Sequence, residues 1–251
     1  MNSSHRVMKA VLLVGGAGTR LRPVVASGPK PLARVGDRPF LELVVRQLSN
    51  QGIRHLVFCT GYLAQEIEKE FGDGRTWEVT IEYSKEATPL GTAGALKLAE
   101  PLLRDEGDFL MMNGDSFLEI DFRQLIVSHR RCGGIGSMAV VQVKNDKRYG
   151  TVRCTSDGRI YGFTEKGSDT SSGFVNAGNY VFNRRIFEHL PDGPASLETD
   201  VFPRILGHGL YASMQQGVFI DIGTPEDYQR AQLLFERLYE AAYRKPRPDA
   251  N

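Results

Sequence analysis

The chain has 251 residues, of which 41% are hydrophobic and 24% are charged. This length and composition predict one globular domain, or at most two tightly joined lobes, with a sizeable core. The 31 basic and 30 acidic residues give a formal net charge of +1, which argues against nucleic acid or a membrane as partner but leaves room for a small anion.

The first half, about residues 8–135, alternates between short apolar runs and segments with helical spacing of apolar residues. The runs predict strands at 10–14, 56–58, 79–83 and 109–112. The helical spacing predicts helices at 40–51, 63–71, 92–103 and 122–131. Strands buried on both faces and joined by helices are typical of right-handed crossovers. We therefore predict a Rossmann-like α/β fold, with a mainly parallel sheet and helices on both faces.

The second half, about residues 136–223, changes character. Short strand patterns separated by turns occur at 140–143, 151–153, 160–163 and 180–182. They predict a smaller, more antiparallel β-rich lobe beside the sheet. Thr224 and Pro225 then fit the cap and first position of one long amphipathic helix over 224–243. Because no long linker separates these parts, we interpret 1–251 as a single domain.

A glycine-rich loop follows the first predicted strand. Gly15, Gly16 and Gly18 allow backbone N–H groups to approach phosphate oxygens at the carboxyl end of that strand, where ligands bind in α/β sheets. The loop lacks the Gly-Lys-Ser/Thr of a Walker A motif, and Leu21 stands where a dinucleotide fingerprint needs a third glycine. Arg20 places a cation at the mouth of the loop, which favours a phosphate site over a simple tight turn.

Lys30 stands between Pro29 and Pro31, which stiffen the backbone on both sides. A lysine held in this way suits a fixed point charge on a phosphate. Alone, it would more often be a solvated surface lysine. With Arg20 and the glycine loop, it predicts a cationic phosphate site.

Two acids are associated with apolar runs, one at the end of a run and one inside a run. Asp115 follows a predicted buried strand, and Asp221 lies within Phe219-Ile220-Asp221-Ile222. An unpaired carboxylate is costly in such a place, and Mg²⁺ binding to the pair would remove that cost. The alternative is that each acid caps a nearby turn or helix.

The three cysteines are an odd number and contain no Cys-x-x-Cys pair, which favours reduced thiols in a cytoplasmic protein. No apolar run reaches the length of a membrane span, and the polar first residues lack the apolar stretch of a secretory signal. We therefore expect a cytoplasmic protein with no membrane partner. A homodimer is the ordinary expectation for such a protein.

Six short motifs occur in a set order. They are Gly-Gly-x-Gly-Thr-Arg (15–20), Pro-Lys-Pro (29–31), Gly-Thr-Ala-Gly (91–94), Asn-Gly-Asp (113–115), Glu-Lys (165–166) and Asp-Ile-Gly-Thr-Pro-Glu-Asp (221–227). As an ordered set they resemble the sugar-1-phosphate nucleotidyltransferases, from about Lys9 to Gln232. Segments such as 174–178 and 196–200 resemble most the D-glycero-α-D-manno-heptose 1-phosphate guanylyltransferases, with the GDP-mannose pyrophosphorylases next.

The resemblance implies a reaction in which a sugar 1-phosphate oxygen attacks the α-phosphorus of a nucleoside triphosphate, and pyrophosphate departs. It implies that Arg20 holds the β- and γ-phosphates and that Lys30 neutralises the α-phosphate and the attacking phosphate. It also implies Mg²⁺ as cofactor, held by Asp115 and Asp221. The nucleotide-binding residues that it implies are Gly15, Gly16, Gly18, Thr19, Glu86, Gly91, Thr92, Asn113 and Gly114.

For the sugar-binding half, the resemblance implies that Lys166 is catalytic and grips the phosphate of the sugar. Glu165 would accept hydrogen bonds from sugar hydroxyls, while Gly150 and Asn176 would line the sugar pocket. Gly167 follows Lys166 where the family usually has proline. The loop therefore lacks the stiffness that proline gives.

Glu86 is the predicted reader of the base. Guanine offers adjacent N1–H and N2–H₂ donors, which one carboxylate accepts together, whereas uracil and thymine match a glutamine better. The alternative is that Glu86 is a solvated residue beside the pocket.

The sequence thus predicts a guanylyltransferase that uses GTP and a sugar 1-phosphate, most simply the heptose, for surface polysaccharide synthesis. The alternatives are a UTP- or dTTP-dependent enzyme for a hexose 1-phosphate, a GDP-mannose pyrophosphorylase, and a sugar-nucleotide sensor without activity. The sensor is the weakest alternative because the predicted cations and metal acids are all present.

Overall fold

The computed structural model describes residues 8–16, 18–21, 28–144, 150–164 and 172–244. In the first half, the strands are β1 (Lys9–Leu13), β2 (Arg34–Val35), β3 (Arg38–Pro39), β4 (His55–Thr60), β5 (Thr80–Lys85), β6 (Asp108–Asn113) and β7 (Ser116–Leu118). The helices there are α1 (Phe40–Asn50), α2 (Ala64–Phe71), α3 (Gly91–Leu98) and α4 (Phe122–Cys132). The strands of the second half are β8 (Gly136–Lys144), β9 (Thr151–Cys154), β10 (Ile160–Thr164), β11 (Ser172–Asn183), β12 (Leu210–Gln215) and β13 (Phe219–Asp221). Its helices are α5 (Phe202–Ile205), α6 (Pro225–Leu233) and α7 (Phe235–Tyr243).

One nine-stranded sheet contains most strands of the described residues. Its order is β10-β9-β11-β6-β1-β4-β5, with β8 paired to β11 and β12 paired to β8. Strands β6, β1, β4 and β5 are parallel, because each connection between them contains a helix that returns the chain to the same edge. The prediction of a Rossmann-like parallel half is confirmed.

The β-rich half extends this sheet through β11 and does not form a separate layer beside it. This 12-residue strand pairs antiparallel with β6 near its carboxyl end, with β9 near its amino end, and with β8 near both ends. Its register with β8 shifts between Asn176 and Tyr180, as at a β-bulge, where a strand bends. A single long strand therefore joins the two halves, which short sequence patterns could not reveal.

Helices cover both faces of the sheet, as predicted. Along β1, Ala10 and Leu12 enter one core with α1, α2 and α4, whereas Val11 enters the opposite core with α3. This alternation follows from the two-residue period of a strand. None of the helices within the described ranges is long and apolar enough to span a membrane.

The prediction of one long helix over 224–243 is wrong in one respect, because this segment forms two helices that meet at Leu234. The start is as predicted, since the Thr224 side chain accepts a hydrogen bond from the Asp227 N–H. No proline or glycine marks the break. Instead, the Phe235 ring packs so closely on Gly36 that a Cβ there would lie 2.7 Å from it, and α7 then packs along α1. The break thus coincides with a tertiary contact and not with a local sequence signal.

Candidate active site

A pocket of ≈ 400 Å³ opens at the carboxyl ends of β1, β4 and β6. Its size lies within the range of about 300–1,000 Å³ that small-molecule sites occupy. The predicted site residues that line it are Gly15, Gly16, Gly18, Arg20, Lys30, Glu86, Gly91, Thr92, Asn113 and Asp115. The structure therefore brings together residues from distant parts of the sequence in one cavity.

The glycines of the loop after β1 allow neighbouring side chains to pass close behind it. Gly18 has a φ of +57°, and a Cβ there would lie 2.7 Å from the Cβ of Lys30. A Cβ on Gly15 would lie 2.9 Å from the backbone nitrogen of Gly61 and 3.0 Å from Glu86 Oε1. Larger residues at these positions would displace the side chains that define the pocket.

A short strand pair brings the two predicted metal acids together. Strand β7 begins directly after Asp115, and strand β13 ends at Asp221. The two strands pair antiparallel, with Asp221 opposite Ser116, and the Ile222 N–H donates a 3.0 Å hydrogen bond to the Asp115 carbonyl. Two acids far apart in sequence are thus fixed side by side.

Lys30 bridges this acid pair. Its Nζ lies 2.6 Å from Asp115 Oδ2 and 3.7 Å from Asp221 Oδ1. Burial and the neighbouring Asp115 carboxylate raise the pKa of Asp221, while the Lys30 charge opposes them. Two carboxylates held this close favour a bound cation, and their oxygens are ligands that Mg²⁺ prefers. No third Asp, Glu, His or Cys joins the pair within the described ranges, so waters or substrate oxygens would complete the shell of a divalent ion.

Arg20 is exposed at the mouth of the pocket, in a 3₁₀ turn over Thr19–Leu21. This turn forms because the Leu21 N–H bonds the Gly18 carbonyl at 3.0 Å. Arg20 and Lys30 therefore place two cations on one cavity whose wall is a glycine loop. Together with the acid pair, they can hold a polyphosphate and its divalent cation.

Glu86 is a fixed acceptor in the pocket wall. Its Oε2 accepts a 3.1 Å hydrogen bond from the Leu90 N–H, and its side chain packs on Gly61, where a Cβ would overlap it. Burial raises the pKa of Glu86, and the hydrogen bond from Leu90 opposes that shift. Cys59 lines the same wall, where burial, with a smaller effect from Glu86, raises its pKa to about 12. Its thiol is therefore protonated and unreactive near neutral pH.

Thr92 lines the pocket, but its hydroxyl already has partners. The Thr92 Oγ1 donates to Glu198 Oε2 at 3.0 Å and accepts from the Leu197 N–H at 2.7 Å. Gly114 lies behind the pocket, where a Cβ would be 2.5 Å from Val14 Cγ1. In the structure, both residues support the pocket wall instead of presenting a free polar group to it.

Two of the predicted sugar-binding residues, Gly150 and Asn176, lie within the described residues, and neither lines the pocket. Asn176 donates to the Tyr180 hydroxyl at 2.7 Å and accepts from the Gly178 N–H at 2.9 Å. Gly150 is described but is absent from the lining of this pocket. Glu165 and Lys166 lie outside the described residues.

Sequence reasoning missed two supports of the site. The Gly223 N–H donates to Asp221 Oδ1 at 2.7 Å, and a Cβ on Gly223 would lie 2.9 Å from that oxygen. Glu198 receives hydrogen bonds from both Thr92 and Ser196. The glycine two residues after an acid was a local signal for the first support. No local pattern could reveal the second, because Thr92 and Glu198 meet only in the folded chain.

Comparison with known proteins agrees with this geometry. The chain is 39% identical over 227 residues to D-glycero-alpha-D-manno-heptose 1-phosphate guanylyltransferase from Aneurinibacillus thermoaerophilus, covering 90% of this chain and 97% of that protein. It is 36% identical over 232 residues to mannose-1-phosphate guanylyltransferase from Mycobacterium tuberculosis, covering 91% of this chain but only 64% of that protein. The mannose-1-phosphate enzymes that it matches are thus longer, and the chain spans less than two thirds of them.

The fold also matches a solved structure. The crystal structure of HddC from Yersinia pseudotuberculosis complexed with GMP-PN superposes with a TM-score of 0.82 at 31% identity, covering 91% of this chain and 99% of that one. A family model described as nucleotidyl transferase matches residues 9–237. The chain therefore belongs to the nucleotidyl transferase family.

Proposed function

We propose that this protein transfers a guanylyl group from GTP to D-glycero-α-D-manno-heptose 1-phosphate, giving GDP-heptose and pyrophosphate. The observation that carries the proposal is the Lys30, Asp115 and Asp221 cluster beside a glycine-lined pocket. The heptose is supported by the relative from Aneurinibacillus thermoaerophilus, which is named for this substrate and of which the chain covers 97%. The GMP-PN complex of HddC supports a guanine nucleotide.

In the proposed reaction, a phosphate oxygen of the sugar 1-phosphate forms a new bond to the α-phosphorus of GTP. The bond from that phosphorus to the bridging oxygen breaks, and its electron pair leaves with pyrophosphate. Such a step needs positioning and charge neutralisation more than covalent help. Lys30 would neutralise the α-phosphate and the attacking oxygen, while Arg20 at the mouth would stabilise the departing pyrophosphate.

The acid pair is the proposed Mg²⁺ site. Asp115 and Asp221 offer hard oxygen ligands, and burial together with the nearby Asp115 carboxylate raises the pKa of Asp221, so a bound cation would favour the ionised pair. When bound, the ion would supply charge neutralisation to the phosphates. The β7–β13 pairing keeps both acids in place without help from the nucleotide.

Glu86 is the proposed reader of guanine. One of its oxygens accepts from Leu90, which fixes the carboxylate and leaves further lone pairs for a ligand. The adjacent N1–H and N2–H₂ of guanine are the donors that such a carboxylate accepts. We expect UTP and dTTP to be poor substrates, because their single N3–H lies between two carbonyls that the carboxylate would repel.

The sugar side rests on the resemblance. Lys166 and Glu165 are proposed to contact the phosphate and the hydroxyls of the sugar, and Gly150 and Asn176 to shape its pocket. To contact the sugar directly, Asn176 would have to give up its hydrogen bond to the Tyr180 hydroxyl. Otherwise it would act by holding that tyrosine in place.

Mannose 1-phosphate is the second candidate substrate. Relatives named mannose-1-phosphate guanylyltransferase match at 36% identity, but the chain covers only 62% to 64% of their length. We further propose a cytoplasmic enzyme that supplies surface polysaccharide synthesis, in agreement with three unpaired cysteines. The homodimer stays a prediction, which light scattering would test.

The test is pyrophosphate release from GTP, ATP, UTP, CTP and dTTP, each with mannose, glucose or D-glycero-α-D-manno-heptose 1-phosphate, with and without Mg²⁺. We expect turnover with GTP, the heptose and Mg²⁺. Turnover with UTP or dTTP would keep the reaction class and overturn the role of Glu86. Binding of GDP-heptose without any turnover would instead support a sensor.

A further inference from the structure

The Lys30 side chain occupies the place between two carboxylates where the proposed divalent cation would bind. Only 9% of the side chain is exposed, and its Nζ lies within 4.0 Å of both Asp115 and Asp221. Other lysines of the described residues, such as Lys9 and Lys97, each form an ion pair with one carboxylate. Lys30 therefore acts on the acid pair in the way that an ion would.

We propose that Lys30 is an internal cation that closes the metal site until a nucleotide is present. This inference rests on the proposed function of the site. Without nucleotide, the protein should bind free divalent ions poorly, because Lys30 already neutralises the acid pair. The phosphates of the nucleotide would then draw Lys30 away and open the site to the ion.

Lys30 and a divalent ion would compete for the pair in this arrangement. A magnesium ion binds carboxylate oxygens at about 2.0–2.1 Å, and the ammonium already lies 2.6 Å from Asp115 Oδ2. An ion on the same oxygen would stand against a like charge at contact distance, where repulsion is strong. This repulsion favours displacement of one of the two cations, and the lysine is the one attached to a flexible stem.

The surroundings of Lys30 let the side chain move while the backbone stays in place. Its first carbons pass over Gly18, and its Nζ would lie 3.4 Å from a Cβ on Gly223, so glycines stand on both sides. Pro29 and Pro31 flank a short 3₁₀ turn that holds the backbone. The ammonium can therefore swing from the acids towards the glycine loop, which lines the same pocket.

The experiment measures Mn²⁺ binding without nucleotide or sugar, by the loss of the electron paramagnetic resonance signal of the free ion. The variants are Lys30→Met and Lys97→Met, the second as a matched control whose lysine pairs with Glu100 away from the pocket. We expect Lys30→Met to bind Mn²⁺ at least about tenfold more tightly than wild type, because a competing charge is removed. Lys97→Met should bind like wild type.

Equal Mn²⁺ affinity of Lys30→Met and wild type would overturn the proposal, as would binding in Lys30→Met that survives a further Asp221→Asn change. If Lys30→Met fails to fold, Lys30→Gln keeps a polar group of similar length and carries the same expectation. Because the assay uses no GTP and no sugar, it can succeed or fail whatever the proposed reaction does.

Discussion

Gly91, the first residue of α3, combines two features that separate substitutions can test. Its φ is +70°, and a Cβ there would lie well under 3.0 Å from the Ala195 carbonyl oxygen. That oxygen accepts hydrogen bonds from the Ala93 N–H at 2.9 Å and the Gly94 N–H at 3.4 Å. An alanine at 91 would thus strain the backbone and push away the Ala195 segment, which packs against the start of α3.

The magnitude follows from these contacts. The left-handed conformation costs an alanine about 1–2 kcal/mol, and two weakened backbone hydrogen bonds cost about 0.5–1.5 kcal/mol each. Alanine also restricts the unfolded chain, which offsets about 0.4–1 kcal/mol. The net loss for Gly91→Ala is therefore about 3 kcal/mol, or roughly 6–12 °C in the melting temperature of a chain of this size.

Two other glycines provide the controls. Gly52 has a φ of +82° with nothing within 4 Å of a Cβ, so Gly52→Ala isolates the backbone strain. A Cβ on Gly16 meets nothing within 4 Å, and Gly16 is not among the glycines with positive φ, so Gly16→Ala should leave stability almost unchanged. Urea unfolding of the three variants should rank the losses Gly91, then Gly52, then Gly16. Equal losses for Gly91→Ala and Gly52→Ala would refute the contact with Ala195.

Four further variants test the site and its supports. Glu86→Gln should lower kcat/KM for GTP about 10–100-fold and raise the relative use of UTP, measured by pyrophosphate release. Asp221→Asn should abolish most turnover, yet stabilise the unliganded protein at neutral pH. Because the pKa of Asp221 is higher in the folded than in the unfolded protein, its ionisation lowers the stability of the folded protein above the ordinary pKa of 3.8. Melting curves should therefore show no stabilisation by Asp221→Asn below that pH. The neighbouring His129 ring, 3.7 Å away, and a hydrogen bond from Asn183 lower the pKa of Asp108 to about 2. Its contribution of about 2 kcal/mol is therefore present above pH 3.8 and lost as the pH falls towards 2, and Asp108→Asn should flatten that acid limb in urea unfolding. Thr92→Val removes two hydrogen bonds and should cost about 1–3 kcal/mol in urea unfolding, and an unchanged midpoint would contradict the contact with Glu198.

The parallel part of the fold could be predicted because its signals are local. Each buried strand is a short apolar run, and each helix shows its own spacing, so neither requires knowledge of distant contacts. Strand β13 was not predicted, because three residues carry too little pattern. The break at Leu234 was not predicted either, since it depends on Phe235 meeting Gly36 across the fold.

The candidate site, too, could be predicted in part. Glycines after a strand, a lysine between prolines and acids at strand ends are residue types with chemical meaning at their own positions. Their convergence on one pocket needed the structure. The engagement of Thr92 by Glu198 and of Asn176 by Tyr180 could not be predicted, because side chains that could face a ligand can equally face one another.

The pairing of β7 with β13 has a consequence for the newly made chain. Ribosomes add residues at about 5–20 per second, and early segments fold first. Asp115 emerges with the parallel strands, but its partner acid arrives only with β13. Helix α6 is made later still, and its Tyr228 and Gln232 side chains donate hydrogen bonds to the carbonyl of Arg34, four residues after Lys30 in the sequence. A nascent chain can therefore form its parallel strands before its acid pair is complete, and activity that needs both acids has to wait for β13.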